Sequence, residues 1–259
     1  MNNYPILEFD PSSQALIEPG KILHRLDNLP EHCVLCFFND VIGDLFADQT
    51  HFHRLHSEIG HNPIYVAEQD GRQFAVIHPG VGAPLAVAFL EEAIALGCRK
   101  FIACGGAGAL NREITVGHVV VPTSAVRDEG TSYHYLPPGR EVTACPEAVA
   151  AIQQTLEAHH VPYVAGKTWT TDAIYRETPA KIARRRAEGC LTVEMETAAF
   201  FAVAQFRAAL PETHDVVFGQ ILYGGDDLSG ELWDSRNWLG RTSTREQLFW
   251  LAAEACLRL

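Results

Sequence analysis

Residues 74–110 read FAVIHPGVGAPLAVAFLEEAIALGCRKFIACGGAGAL, and they hold one complete structural unit. The apolar run 74–77 has the length of a strand. It ends in His78-Pro79-Gly80-Val81-Gly82-Ala83-Pro84, a turn that opens a helical pattern over 84–96 with proline in its first turn. Gly97 stops that pattern, a second apolar run follows at 101–104, and it leads into Gly105-Gly106-Ala107-Gly108-Ala109-Leu110. Working outward, strand-like runs recur at 34–38, 119–121, 163–169 and 216–222, and helical spacing recurs at 146–159 and 244–257. Alternation of this kind predicts an α/β fold, a largely parallel sheet covered by helices.

The 259 residues can bury a sizeable core, and no stretch reads as a linker, so one domain over 1–259 is expected. Hydrophobic residues make up 47% and charged residues 20%, with a mean hydropathy of −0.02; the apolar runs are strand-sized, so no membrane span is expected. The N-terminal MNNYPILEFD lacks a basic segment followed by an apolar core, which predicts a cytoplasmic protein. A net charge of −12 repels a phosphate backbone and argues against nucleic-acid binding, leaving small ligands as the expected partners. Of the seven cysteines, Cys33, Cys36, Cys98 and Cys104 lie in apolar runs and read as reduced core residues, Cys33 and Cys36 included despite their C-x-x-C spacing. His51, His53 and His56 lack a carboxylate or cysteine at ligand spacing, so they read as a solvated polar segment and no metal is expected.

In such a fold, ligands gather beyond the C-terminal ends of the strands, and three groups of residues follow strands. The first is the pair of glycine-rich turns, whose backbone N–H groups at Gly82, Gly105, Gly106, Ala107 and Gly108 can approach an anion closely. Position 85 is Leu, so the first turn does not extend to G-x-G-x-x-G and a dinucleotide site is not expected. The second is Val193-Glu194-Met195-Glu196-Thr197, read as the start of a helix whose apolar face carries Met195, Ala198, Ala199, Ala202, Val203 and Phe206. Either glutamate there can simply favour the helix dipole, or one can accept hydrogen bonds from two sugar hydroxyls while Met195 packs against the ring. Residues two apart on a helix point in nearly opposite directions, so both cannot do so equally. The third is Gly224-Gly225-Asp226-Asp227-Leu228, where the aspartates are either turn residues or an acidic pair entering a cleft. Mutual repulsion and burial would keep one of them protonated and able to protonate a leaving group.

Taken together, these groups resemble the nucleoside phosphorylase family, which includes uridine phosphorylase, the hexameric purine nucleoside phosphorylases and the methylthioadenosine/S-adenosylhomocysteine nucleosidases. The resemblance runs from about residue 34 to 257 and rests on VEMETAAF at 193–200, GVGAP at 80–84, GGAGAL at 105–110, VGHVVVPTSAVRDEGTS at 116–132 and GGDDL at 224–228, in that family's order. It implies a single three-layer αβα domain with a central mixed sheet, assembled as a homo-oligomer from dimer to hexamer. It implies cleavage of a nucleoside's N-glycosidic bond, a step of nucleotide salvage, with phosphate as co-substrate and no further cofactor. Carried over, Glu196 binds the ribose 2′- and 3′-hydroxyls, Met195 lies beneath the sugar, and Asp226 is the acid beside the base. Asp227 is the alternative acid because Gly225 stands where the family has serine. Asp172, Ile174 and Tyr175 fall where the family builds its base pocket.

The departures concern the acceptor and the base. The family's Gly-Asp-Pro-x-Arg-like turn is replaced by Phe37-Phe38-Asn39-Asp40-Val41-Ile42-Gly43-Asp44, and Ala103 occupies the place of an arginine before the second glycine-rich stretch. Phosphorolysis therefore stands beside hydrolysis with Asp40 activating water, and beside nucleoside binding without catalysis. Arg127, Arg176 or a cation from a neighbouring subunit would have to replace the missing arginines. Tyr175-Arg176-Glu177-Thr178-Pro179 does not match the uracil-reading glutamine and arginine of the uridine phosphorylases, so pyrimidine specificity is not expected.

Overall fold

The computed structural model describes residues 4–58, 60–114, 116–240 and 242–259. A short helix α1 (Pro19–Ile22) precedes β1 (His32–Cys36), α2 (Asn39–Leu45), the hairpin β2 (His53–Ser57) and β3 (Gly60–Gln69), and β4 (Arg72–Ile77). The unit quoted above forms as β4, α3 (Ala83–Leu96) and β5 (Lys100–Ala109). Then follow β6 (Val119–Asp128), β7 (Glu141–Thr143), α4 (Pro146–Ala158), β8 (Tyr163–Thr171), α5 (Pro179–Ala187), β9 (Cys190–Glu194), α6 (Thr197–Ala208), β10 (Val217–Asp227) and α7 (Thr242–Leu257).

Strand β1 lies parallel between β4 and β5, with Cys33 opposite both Ala75 and Phe101. Because side chains alternate across a strand, the sheet feeds two cores. Cys33, Leu35, Phe101 and Phe218 pack with α3 and α6 on one face, while Val34, Cys36, Ile102 and Cys104 pack with α2, α4 and α7 on the other. Helices on both faces make the three layers. Cys33, Cys36, Cys98 and Cys104 are all buried and free, as small apolar residues in the core. Phe218 stacks on Phe200 at 4.8 Å and on Phe101 at 6.3 Å, so truncation to alanine here should cost about 3–5 kcal/mol.

The mixed sheet is parallel along β4, β1, β5 and β10 and along β6, β8 and β9, and antiparallel through the hairpin and where β10 meets β6, β5 meets β9 and β6 meets β7. It also closes on itself: β5 pairs β10, β10 pairs β6, β6 pairs β8, β8 pairs β9, and β9 returns to β5. One partner of β5 changes along its length while β10 stays. At 100–104 it lies between β1 and β10, and at 108–109 it lies between β10 and β9. The histidine segment expected to be solvated forms the hairpin β2–β3, which pairs onto β4; His53 is half-buried there and His56 is exposed, with its Nδ1 2.9 Å from His61 Nδ1. No helix among the described residues is long and apolar enough to cross a membrane.

Candidate active site

The split in β5 decides where the site forms. The stretch Gly105-Gly106-Ala107-Gly108 continues the strand instead of turning away from it, so the expected second glycine-rich turn is absent. β1 ends with the bond from Phe37 N–H to Cys104 O, and β9 joins at Gly108 opposite Val193. Between them Gly106, which shares the orientation of Cys104 and Gly108, turns its N–H and C=O towards a gap and is the one residue of 101–109 that is not fully buried. Gly105 and Ala107 face β10 instead, paired with Leu222 and Gly224. Gly108 has no space for a side chain: a Cβ would lie 2.4 Å from Leu228 Cδ1, 3.0 Å from Val193 Cγ1 and 3.4 Å from Asp226 Oδ1. The ends of β9 and β10 therefore converge on this glycine.

At the end of β9, Glu194 is the last strand residue and Glu196 caps α6 from outside the helix, so the acidic pair lies on a strand-to-helix junction and not on a helix face. Glu194 points inward. One carboxylate oxygen accepts the N–H groups of Glu196 at 2.7 Å and Thr197 at 2.6 Å, and the other accepts the Thr170 hydroxyl at 2.6 Å. It thereby satisfies donors that the first turn of α6 leaves unpaired. Met195, between the two glutamates, is half-buried. Glu196 reaches across to the turn after β4, where the N–H of Gly82 donates to Oε1 at 2.6 Å. Gly82 adopts φ +92°, which L side chains rarely adopt, so glycine allows this N–H to point at the carboxylate. Burial, reinforced by the charge of Glu194, pushes the Glu196 carboxyl up to about 8 against the opposing N–H donors.

At the end of β10, a bulge between Gly224 and Asp227 separates the two aspartates in environment. Asp227 accepts the N–H of Ser229 at 2.7 Å and pairs with Arg236. Burial works against its charge, but these two partners outweigh it and hold the carboxyl below its usual range. Asp227 is thus an ionised structural residue. Asp226 keeps Oδ1 towards Gly108 and receives at Oδ2 the indole N–H of Trp233, at 2.6 Å. Beside Gly82, burial keeps His78 below its usual range, and its neutral Nδ1 accepts Gly80 N–H at 3.0 Å.

Residues 26–211 match the phosphorylase superfamily. The chain belongs to that superfamily. A guanosine phosphorylase of Halorubrum lacusprofundi is 32% identical over 64% of this chain and 70% of its own length. A uridine phosphorylase of Treponema pallidum is 32% identical over 61% of this chain and 66% of its own, and that of Escherichia coli is 30% identical over 51% and 58%. The chain thus matches between about half and two thirds of most of these relatives. A crystal structure of uridine phosphorylase from Vibrio fischeri ES114, complexed with 6-hydroxy-1-naphthoic acid, shares the fold with a TM-score of 0.74 at 22% identity, over 90% of this chain and 93% of that one.

Within this superfamily member, several residues fall elsewhere than the sequence suggested. Asp40, expected as a base for water, is ion-paired with Arg245, which donates to its Oδ2 at 2.9 Å and lies 2.9 Å from its Oδ1. Arg127 donates to Ser132 Oγ at 2.9 Å, Pro137 O at 2.8 Å and Leu136 O at 3.1 Å, and so bolts its loop in place. Arg176 is exposed, and Ala103 is buried in the core. Tyr175, expected as a pocket wall, is 96% exposed and projects into solvent; Ile174, 53% exposed, sits at the rim. Asp172 is also exposed and accepts Gly130 N–H at 2.8 Å, tying together two loops at the rim. A cavity of about 910 Å³ opens under the N-terminal arm, among Ile22, Pro84, Glu91, Tyr135 and Arg207; it touches the site at Asp172 and not at its carboxylates. Sequence reasoning missed Thr170 and Trp233, the partners of Glu194 and Asp226. Trp233 lies seven residues beyond its partner in an irregular segment, with no periodicity to flag it.

Proposed function

We propose that this chain cleaves nucleosides by phosphorolysis, releasing the free base and ribose 1-phosphate. The observation that carries the reading is the convergence of two carboxylates on the glycines of this region: Glu196, which the N–H of Gly82 reaches, as the acceptor for sugar hydroxyls, and Asp226, beside Gly108, as the acid for the base. Membership of the superfamily and the names of the relatives, guanosine and uridine phosphorylases, support it. A phosphate oxygen bonds to C1′ as the C1′–N bond breaks, its electron pair passes to the base, and the Asp226 proton neutralises the departing nitrogen. Met195 lies under the ribose. Phosphate is the second substrate, and the chain acts as a single domain within a homo-oligomer in the cytoplasm.

The ion pair of Asp40 with Arg245 supports phosphate over water, because it engages the carboxylate that hydrolysis would use. Fixed cations are nonetheless scarce at the acceptor position, since Arg127, Arg236 and Arg245 are all engaged elsewhere. Gly106 N–H, aimed into the gap, supplies one donor, so phosphate should saturate only at high concentration. Assay of free base with and without phosphate, with analysis of the sugar product, tests the reading. Phosphate-dependent ribose 1-phosphate is expected. Free ribose formed equally without phosphate makes the enzyme a hydrolase, and nucleoside binding without base release makes it a binding protein.

A further inference from the structure

We propose that the indole of Trp233 is the stacking wall of the base pocket and that the site therefore favours purine nucleosides, whose two-ring bases cover it best; this rests on the nucleoside-cleaving function proposed above. The indole N–H donates to Asp226 Oδ2 at 2.6 Å, which sets the ring beside the carboxyl assigned to the leaving base. The other oxygen, Oδ1, faces Gly108 on β5. A base bonded through Oδ1 and an indole bonded through Oδ2 meet at one small carboxyl group, close enough for their faces to overlap. Trp233 is 64% exposed with that bond in place, so most of its ring surface is open to a ligand. The other three tryptophans differ: Trp169 is fully buried, and Trp238 and Trp250 are half-buried. Covering a large exposed aromatic surface is favourable, and a flat base does so with matching shape.

The segment that carries the ring is anchored. Asp227 and Asp234 exchange both backbone hydrogen bonds, at 2.8 Å and 3.1 Å, which closes the loop 228–233 onto the end of β10. Arg236 adds a bond to Ile114 O at 2.8 Å and the ion pair with Asp227. Trp233 thus leaves a fixed backbone, and its own N–H bond restrains the ring. The loop after β8 offers no such wall, since Tyr175 projects into solvent and Ile174 at the rim has no π-face. Stacking of a base on an aromatic side chain contributes about 1–3 kcal/mol, roughly 5- to 150-fold in affinity. The gain grows with the overlapping area, so adenine and guanine should gain more than uracil.

The test measures calorimetric binding of free adenine, guanine and uracil, tryptophan emission on adding each base, and base release from adenosine, guanosine and uridine, for the wild type, Trp233→Phe and Trp233→Leu. Phenylalanine keeps a π-face and loses the N–H, whereas leucine loses both. Purine affinity should fall less than about threefold in Trp233→Phe and at least about fivefold in Trp233→Leu, with a smaller loss for uracil. The fall in kcat should be the same in both, roughly fivefold, because both lose the bond to Asp226. Purines should quench the wild-type emission, and less so that of either variant. Undiminished purine affinity in Trp233→Leu, an equal loss in both variants, or a wild type that prefers uracil overturns the stacking wall while the nucleoside-cleaving function stands. A wild type that releases base from no nucleoside overturns the function and this assignment with it. Should Trp233→Leu fail to fold, the wild-type emission decides, and an absent purine quench overturns the assignment.

Discussion

The two acidic pairs of this protein, Glu194 with Glu196 and Asp226 with Asp227, share one division of labour carried out by different means. In each pair one carboxylate is held by several partners, while the other, Glu196 or Asp226, accepts a hydrogen bond from a distant segment, at Gly82 or Trp233. Glu194 is held by two backbone N–H groups and a threonine hydroxyl in a dry junction. Asp227 is held by an arginine and a serine N–H in a more open loop. Among the described residues no cation pairs with either glutamate, so burial and repulsion leave Glu196 with an elevated affinity for a proton. Arg236 neutralises the second pair, leaving Asp226 beside a paired, ionised neighbour. A neutral cage and a counter-ion are thus two ways to keep adjacent carboxylates in one site, and they predict different responses to substitution and pH.

The largest effect should come from the aspartate beside Gly108. Asp226→Asn should lower kcat on the order of 100-fold or more with little change in KM, because the proton it supplies acts on the transition state. Asp227→Asn should instead chiefly lower the melting temperature. Steady-state kinetics on both variants breaks the comparison if the two exchange behaviour.

Glu196→Gln should reduce kcat/KM roughly 10- to 100-fold, since an amide places donors where the ribose hydroxyls need an acceptor. The pH dependence sharpens this. The folded value near 8 lies above the ordinary 4.5, so the contribution of Glu196 to stability is fully present below about pH 4.5 and is lost as pH rises through about 8. Sugar hydroxyls require the ionised form, so kcat/KM should climb with pH up to about 8. Both trends should vanish in Glu196→Gln, as followed by thermal melts and pH–rate profiles; a persistent limb would assign it to another group.

Smaller effects are expected from the supporting residues. Glu194→Gln sets an amide donor against backbone N–H groups in a buried cage and should cost about 1–3 kcal/mol of stability by denaturant titration, with less effect on kcat/KM than Glu196→Gln. The opposite ranking would reverse the roles of the two glutamates. Trp233→Phe removes one hydrogen bond from Asp226 and should cost about 1 kcal/mol in the transition state, roughly fivefold in kcat.

Much of this was legible in the chain itself. Periodicity of apolar residues specified the α/β alternation, since burial against a sheet or helix face requires that spacing, and α3 begins and ends within one residue of the expected span 84–96. Strand-following motifs identified the acidic pairs, because loops at strand ends are where an α/β fold places its chemistry. Tertiary structure alone decided which member of each pair the scaffold holds most tightly. Side-chain partners such as Thr170, Gly82, Trp233 and Arg236 come from other elements or irregular loops and leave no local signal. Pairing of β10 and β9 along β5 also turned an apparent glycine-rich loop into strand, and β10 brought Asp226 beside Gly108. Local sequence encodes what each residue can do, whereas the charge state and exposure of a carboxylate depend on neighbours distant in the chain, which only the folded packing supplies.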